Sequence, residues 1–376
     1  MSMPSRSRSR TLAVSLVLSI GAALAALPSH AADAAGVAYV SNQNGDVTVI
    51  DLATMQVSGS ISAYGKEPRG IGVTADGKLL VLANRDGGRV AVIDRASGKL
   101  LRHVRVGSNP EFVRTRGHLA FVSYEPSSTG GPPPKAGAKA GADKGGKPGG
   151  KEAPGADKDD DEDHEPAHIA VIDLDRGKVV RSIKGGMETE GIEFAADGKH
   201  IIVTNEADDN IAVHEIATGK VVKTIDTKPW GKRPRGIKMA PDGKSYVATL
   251  EFGNAFIVLD ADYNVLKKVP TGESPYGVSF DRAGERLFVA ASKSKQLQVF
   301  DARTYAPVKN VPTGSRCWHF SFTPDEKSIL IACGRSDEVI VIDAKSLEPV
   351  KHIADAKLPW GVVTYPKSMG SLDRPE

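Results

Sequence analysis

The sequence predicts an all-β protein, a seven-bladed β-propeller with four antiparallel strands in each blade. Three observations support this prediction. A unit of about 42 residues recurs along the chain, each unit holds four short apolar segments, and the incomplete units at the two ends complement each other. Radial repetition of four-stranded sheets is the architecture of a β-propeller.

The repeat is clearest in PRGIGVTADGK, which begins at Pro68, and in PRGIKMAPDGK, which begins at Pro234. The first position of the unit, called the repeat start below, is occupied in turn by Pro68, Pro110, Thr189, Pro234, Pro275, Cys317 and Pro359. Successive repeat starts are 42, 79, 45, 41, 42 and 42 residues apart, so only one spacing is abnormal.

Each unit contains four predicted strands. The first follows the repeat start, the second follows a DGK-type turn, the third has the form VAVID, and the fourth precedes the next Gly-rich turn. Apolar residues alternate with polar ones and β-branched residues are frequent, as in strands. The aspartate that ends the third strand is expected to bond the backbone of the following turn. It recurs as Asp51, Asp94, Asp173, Asp260, Asp301 and Asp343.

The two chain ends predict how the ring closes. The N-terminal unit supplies only AYVSN, DVTVID and QVSGSIS, and the C-terminal PWGVVTYP is a first strand with nothing after it. Together they make one blade, and six complete units make the others. We therefore expect a propeller over residues 36–366, closed by strand exchange between the termini, and a C-terminal tail over residues 367–376.

The N-terminus resembles a secretory signal peptide over residues 1–31. Three arginines precede an apolar run from Thr11 to Leu27, and small residues stand at the cleavage positions Ser29 and Ala31. Cleavage before Ala32 removes three arginines and no acids, so the formal net charge falls from +3 to zero. The mature chain is thus expected in the periplasm, without a membrane anchor and without the uniformly basic surface of a nucleic-acid-binding protein.

The abnormal spacing comes from an insertion over residues 125–167, between the second and third strands of the third blade. Pro, Gly, Ala, Lys and Asp dominate it, so it is expected to be disordered. Lysines precede an acidic run from Asp157 to Glu165. The insertion is interpreted either as a solvated loop or as a weak tether for a divalent cation or a basic partner.

The strands AYVSN, LVLAN and IIVTN, each followed by a VID-type strand, resemble the YVTN family of β-propeller repeat proteins. The resemblance covers residues 36–366 apart from the insertion. Related propellers include extracytoplasmic proteins of unknown role, the haem d1 domain of nitrite reductases, the propeller of nitrous oxide reductase, lactonases, and a periplasmic protein associated with single-stranded DNA. The resemblance implies the fold and an extracytoplasmic location.

Alignment of the repeats with one another identifies a candidate ligand site. The residue after the repeat start begins each innermost strand and should surround the mouth of the central channel. It is Arg69, Glu111, Glu190, Arg235, Tyr276, Trp318 and Trp360 in successive blades. The next position is glycine in five blades, which indicates close backbone approach, but Phe112 and His319 in the other two. An aromatic arc beside a charged arc suits a planar anionic ligand, bound more tightly when His319 is protonated. Salt bridges and packing between blades are the alternative interpretation.

The two cysteines lie at hairpin-partner positions, Cys317 at a repeat start and Cys333 at the end of the next strand. In an oxidising compartment this arrangement favours a disulfide. Two buried thiols, or a soft-metal site formed by both cysteines and His319, are the alternatives.

The sequence contains no haem-attachment, nucleophile-elbow, zinc-protease or phosphate-loop motif, so no catalytic residue and no cofactor is implied. We expect a monomeric periplasmic binding or scaffold protein for a small anionic or aromatic ligand or a protein partner. The alternative is an accessory protein of an extracytoplasmic redox system, or a lactonase-like hydrolase using Glu111, Glu190 and His319 as acid, base or metal ligand.

Overall fold

A computed structural model describes Met1, residues 36–126 and residues 165–376, and these residues form a seven-bladed β-propeller. The strands of the first half are β1 (Val37–Asn42), β2 (Val47–Asp51), β3 (Gln56–Ile61), β4 (Lys66–Val73), β5 (Leu79–Asp86), β6 (Arg89–Asp94), β7 (Leu100–Arg105), β8 (Pro110–Arg116), β9 (Leu119–Tyr124), β10 (His168–Asp173), β11 (Lys178–Lys184), β12 (Thr189–Phe194), β13 (His200–Asn205) and β14 (Asn210–Glu215).

The strands of the second half are β15 (Val221–Asp226), β16 (Pro234–Met239), β17 (Ser245–Leu250), β18 (Ala255–Asp260), β19 (Val265–Pro270), β20 (Pro275–Phe280), β21 (Arg286–Ala291), β22 (Gln296–Asp301), β23 (Pro307–Pro312), β24 (Cys317–Phe322), β25 (Ser328–Cys333), β26 (Glu338–Asp343), β27 (Glu348–Ile353) and β28 (Pro359–Tyr365). Two short 3₁₀ turns follow second strands, at Glu251–Gly253 and Gly334–Ser336.

The predicted ring closure is confirmed. Blade 1 has the strand order β28, β1, β2 and β3, so its innermost strand comes from the C-terminal end of the propeller. Blades 2 to 7 each use four consecutive strands, beginning with β4, β8, β12, β16, β20 and β24. Pairing of β28 with β1 is antiparallel and runs from Val37 opposite Tyr365 to Asn42 opposite Pro359. The first and last strands therefore hold each other in place.

Strand direction defines two faces of the disc. Every innermost strand begins on the face called the top here and ends on the bottom, where the DGK-type turns lie. The repeated aspartates cap bottom turns, as predicted: Asp94 Oδ1 accepts from the backbone N–H of Ser97 at 2.8 Å, and Asp343 Oδ1 accepts from Ser346 at 2.6 Å. These aspartates are structural, since a satisfied turn is what each blade needs at this point.

A left-handed backbone residue precedes every repeat start on the top face. These residues have φ between 48° and 58°, and they are Glu67, Asn109, Glu188, Arg233, Ser274, Arg316 and Leu358. Only Asn109 belongs to a residue type that adopts this conformation readily. The strain of the other six, of order 1 kcal/mol or more each, is sustained by the strands on either side.

The core lies between blades, where the two faces of each sheet pack on their neighbours with almost no exposed surface. The outermost strands protect their free edges with basic residues that reach the next blade. Five such side chains donate to a backbone carbonyl of the adjacent bottom turn: Arg102 to Asp175, Lys223 to Asp262, Lys267 to Thr304, Lys309 to Ser346 and Lys351 to Thr54. Charged edges of this kind oppose pairing with a second chain.

Most of the predicted signal peptide, residues 1–31, and most of the predicted insertion lie outside the described residues. Within the part of the chain that the structure describes, no helix has the length and apolarity required to cross a membrane. The ends of the insertion are anchored: His168 stands opposite Tyr124 in the β9–β10 pair, and the Glu125 N–H donates to the Ser108 carbonyl.

Because β9 and β10 already pair at Tyr124 and His168, a short turn can join them. We predict that replacing Ser127 to Pro166 with a four-residue turn shifts the melting temperature by no more than a few degrees. Circular dichroism melts of the two proteins measure this. A loss of the folded baseline in the shortened protein would show that the insertion is required for the propeller.

Candidate functional site

The seven residues that follow the repeat starts lie near the top ends of the innermost strands. Six are the second residue of their strand, and Arg69 is the fourth residue of the longer β4. The glycines that follow them allow neighbouring innermost strands to approach closely: a Cβ on Gly70 would lie 2.3 Å from the Glu111 carbonyl oxygen, and one on Gly277 would lie 2.5 Å from that of Trp318. The mouth is therefore narrow.

The charged arc of the mouth is made of ion pairs between blades. Arg69 bonds the carboxylate of Glu111 in the next blade, and its Nε donates to Gln43 Oε1 at 3.0 Å. Arg235 bonds Glu190 in the preceding blade and also Glu206, and its Nε donates to Glu251 Oε2 at 2.8 Å. The guanidinium groups of both predicted site arginines thus already have carboxylate partners.

Tyr276 joins the charged arc to the aromatic arc. Its hydroxyl donates to Glu190 Oε2 at 3.2 Å, and its ring stacks against the Arg235 guanidinium at 4.7 Å. Burial opposes ionisation of Glu190, but the neighbouring guanidiniums of Arg235, Arg69 and Arg233 hold its pKa below the usual value. Burial likewise opposes the charge of Arg235, and Glu190, Tyr276 and Glu251 raise its pKa. Glu190 and Arg235 therefore stay charged at neutral pH.

The alignment of repeat starts missed a second ring of residues at the mouth. Six of these residues directly follow the second strand of their blade, and Arg85 holds the equivalent position within the longer β5. They are Gln43, Arg85, Glu125, Glu206, Glu251, Ser292 and Gly334. Glu206 and Glu251 neutralise Arg235, and they also contact Arg233. The sequence contained the information needed to find this second ring, since the register that aligns the repeat starts also aligns the position after each YVSN-type segment.

The aromatic arc closes the channel axis. The His319 ring lies 4.3 Å from that of Trp360 and 5.3 Å from that of Tyr276, centroid to centroid. It also meets Phe112 edge-on at 6.3 Å, although the two residues come from blades on opposite sides of the ring. The two large side chains at an otherwise mostly glycine position therefore fill the axis. Trp318 alone of the arc is only partly buried, and its ring covers Gly334.

The expected titration of His319 near neutral pH is wrong. The residue is 3% exposed, and burial lowers the pKa of its imidazole to about 3. Its Nδ1 lies 3.1 Å from Ser371 Oγ, whereas Nε2 has no hydrogen-bond partner among the described residues. Between pH 5 and 8, His319 is therefore a neutral, polar group that faces the aromatic arc.

A buried charged cluster lies below the mouth. Arg114 Nη2 donates to both carboxylate oxygens of Glu193, at 2.8 and 3.0 Å, and Lys238 Nζ lies 3.5 Å from Glu193 Oε2. Burial opposes ionisation of Glu193, but Arg114 and Lys238 hold its pKa below the usual value. Burial and Arg114 lower the pKa of Lys238 well below its ordinary range.

The segment predicted as a C-terminal tail, residues 367–376, enters the channel from the bottom. It runs antiparallel to β24, with Phe322 N–H donating to the Met369 carbonyl and Ser371 N–H to the Phe320 carbonyl. Its next two carbonyls accept from the charged cluster, Leu372 from Arg114 Nη1 at 2.5 Å and Asp373 from Lys238 Nζ at 3.0 Å. Among the described residues, the tail therefore fills the lower channel.

Cys317 and Cys333 form a disulfide, as favoured by their predicted register. The alternative of a metal site formed by these cysteines and His319 is therefore wrong. Over residues 36–126 and 165–376, no group of three His, Cys, Asp or Glu side chains is arranged to hold a metal ion. The disulfide fixes the start of β24, which carries Trp318 and His319.

Comparisons with known proteins agree with this fold. A family model described as a YNCE-like β-propeller matches residues 9–120. None of the curated proteins matches the sequence significantly.

Solved structures that resemble the chain include Kuenenia stuttgartiensis hydrazine synthase, with 21% identity and a TM-score of 0.64 over 82% of this chain and 92% of that chain. Another is the periplasmic gluconolactonase of Pseudomonas aeruginosa, with 15% identity and a TM-score of 0.67 over 88% of this chain and 98% of that chain. A third is the dihydro-haem d1 dehydrogenase NirN, with 19% identity and a TM-score of 0.60 over 90% of this chain and 78% of that chain. At these identities the likeness establishes the fold alone.

The buried cluster gives a prediction for stability. Replacing Glu193 with Gln leaves the Arg114 charge buried without its carboxylate, so we expect a loss of about 3–5 kcal/mol in urea unfolding at pH 7. The double variant R114M/E193L should recover much of this loss, because Lys238 can give up its proton whereas arginine cannot. The exposed pair of Lys293 and Glu273 supplies a control, E273Q, which should change stability by less than about 0.5 kcal/mol. Equal effects of E193Q and E273Q would contradict this account.

The same cluster sets the direction of the pH dependence. Because the pKa of Glu193 is lower in the folded protein than its usual value of 4.5, its contribution is present above pH 4.5 and is lost as the pH falls further. Below that pH, the stability of the parent protein should fall more steeply than that of R114M/E193L.

The disulfide gives a further prediction. Removing it with C317A/C333A should lower the free energy of unfolding by about 3 kcal/mol, because the cross-link limits the entropy of the unfolded chain. Reduction of the parent protein should produce a similar shift in the urea midpoint. Alkylation of two free thiols in the native, unreduced protein after denaturation would contradict the pairing.

Proposed function

We propose that this protein is an exported binding protein of the β-propeller class, which holds a planar aromatic ligand or group against the aromatic arc at its channel mouth. The observation that supports this most directly is the division of the mouth into two unlike arcs. The charged arc is neutralised by its own residues, whereas the aromatic arc presents Trp318 to solvent beside the neutral imidazole of His319.

Export is supported by the sequence of residues 1–31 and by the disulfide. Disulfides persist in oxidising compartments and are rare in the cytosol. The periplasm is the compartment that a signal peptide of this kind and a single buried disulfide fit best. The periplasmic gluconolactonase named above shows that a propeller of this shape occurs there.

The chemical class of the ligand follows from the side chains at the mouth that remain free to contact it. Arg235 is surrounded by Glu190, Glu206 and Glu251, so an anion would have to displace a carboxylate to reach it. The anionic part of the sequence-based expectation is therefore not favoured at the mouth. The partly exposed indole of Trp318 remains, and stacking on this flat apolar surface suits a planar aromatic group.

The hydrolase alternative has less support from the same geometry. A general acid near neutral pH needs a raised pKa, whereas the pKa of Glu190 is lowered. The pKa of His319, about 3, makes its imidazole a weak base. Glu111 is bonded to Arg69. Glu190 and His319 therefore lack the pKa near neutral pH that general acid–base catalysis needs.

The proposal is tested with two aromatic fluorescent probes, the neutral N-phenylnaphthylamine and the anionic anilinonaphthalene sulfonate. Replacing Trp318 with Ala should weaken probe binding about 3- to 10-fold, because an aromatic contact contributes roughly 0.5–1.5 kcal/mol. The matched control is W230A, which removes a partly buried indole between blades 4 and 5. Unchanged binding to W318A, with a normal melting temperature, would place the site elsewhere.

A further inference from the structure

A cleft of about 620 Å³ opens on the top face between blades 2 and 3. It lies apart from the aromatic arc, which belongs to blades 6, 7 and 1. Its wall includes Arg85, Arg105 and the backbone of the glycine turn at Gly87 and Gly88. Clefts of this volume are typical of sites for single small molecules.

Arg85 is the unusual residue of this cleft. It is only 8% exposed, yet its Nη2 has no hydrogen-bond partner within the described residues. The nearest carboxylate oxygen, Glu67 Oε2, lies 3.9 Å from Nη1, beyond hydrogen-bond distance. Burial and the charge of Arg69 lower the pKa of Arg85, although the carboxylates of Glu67, Glu125 and Glu190 act in the opposite direction.

The other buried arginines of the channel differ from Arg85 in this respect. Arg69, Arg114 and Arg235 each direct nitrogens at a carboxylate of the neighbouring blade. A buried guanidinium nitrogen without an acceptor is costly, because the group has lost its water without gaining a hydrogen bond. An arginine with an unbonded nitrogen at the wall of a cleft indicates that a ligand supplies the missing hydrogen-bond acceptor.

The other residues of the cleft are compatible with a ligand that carries a hydrogen-bond acceptor for Arg85. Exposed Arg105 adds a second cation. Of the two acids of the cleft, Asp86 faces another base, with Oδ2 3.7 Å from Lys66 Nζ, and the side chain of Glu67 is 57% exposed and lies beyond hydrogen-bond distance of Arg85. Gly87 and Gly88 have φ of 91° and 61°, a backbone that other residues rarely adopt, and without side chains they leave the cleft open.

We infer that this cleft is an anion site, in which Arg85 holds the carboxylate or phosphate group of a small molecule and Arg105 supports the charge from the rim. A planar guanidinium fork binds either group through paired hydrogen bonds. The inference is independent of the proposed aromatic site, because the residues of the two sites do not overlap.

Isothermal titration of the full mature chain with inorganic phosphate and with succinate separates the two anion types. At least one should bind with one-to-one stoichiometry. R85Q should weaken that binding about tenfold or more, and R85K, which keeps the charge but lacks the fork, should weaken it as well. R335Q removes an exposed arginine from the same face and serves as the matched control, which should bind as the parent does.

Thermal melts provide a second measurement. The bound anion should raise the melting temperature of the parent protein and of R335Q but not that of R85Q, and W318A should retain the effect because the aromatic arc is a separate site. The inference is wrong if neither anion binds, or if folded R85Q and R85K bind as tightly as R335Q.

Discussion

Antiparallel pairing of β28 with β1 closes the ring of seven blades, and the other features of the molecule depend on this contact. It brings Trp360 to the mouth beside His319. It also leaves the chain at the bottom of the axis, from where residues 367–376 turn back into the channel. Ring closure, the aromatic arc and the plug of the lower channel are thus consequences of one pair of strands.

A closed ring brings seven innermost strands so close together that their charged side chains have little access to water. The chain meets this constraint by placing buried cations beside carboxylates of the adjacent blade, as in Arg114 with Glu193 and Arg235 with Glu190. These bonds join blades at two depths of the axis. The paired charged side chains near the axis therefore stabilise the fold. A ligand would bind through groups that have no partner in these ion pairs.

Two such groups stand out, and they differ in kind. The aromatic arc offers the flat surface of Trp318 beside the buried, neutral ring of His319, whereas the cleft between blades 2 and 3 offers the incompletely bonded guanidinium of Arg85. Their separation on one face would allow a ligand or two ligands to be bound without disturbing the ion pairs. At the plugged bottom of the axis, the tail carbonyls of Leu372 and Asp373 accept from Arg114 and Lys238.

The amino-acid sequence by itself determined the number of blades, the closure between the termini, the register that pairs Cys317 with Cys333, and the seven aligned positions that begin the innermost strands. These follow from a repeat of nearly constant length, because side-chain alternation and turn chemistry are local properties. Tertiary structure alone decided the rest. Left-handed residues such as Arg233 and Leu358 carry no local signal, and burial removes the neutral-pH titration of His319. The carboxylate partners of Arg69 and Arg114 come from the neighbouring blade. Whether a charged side chain is saturated or available depends on which groups the closed ring brings within about 3 Å of it, and that is a property of packing.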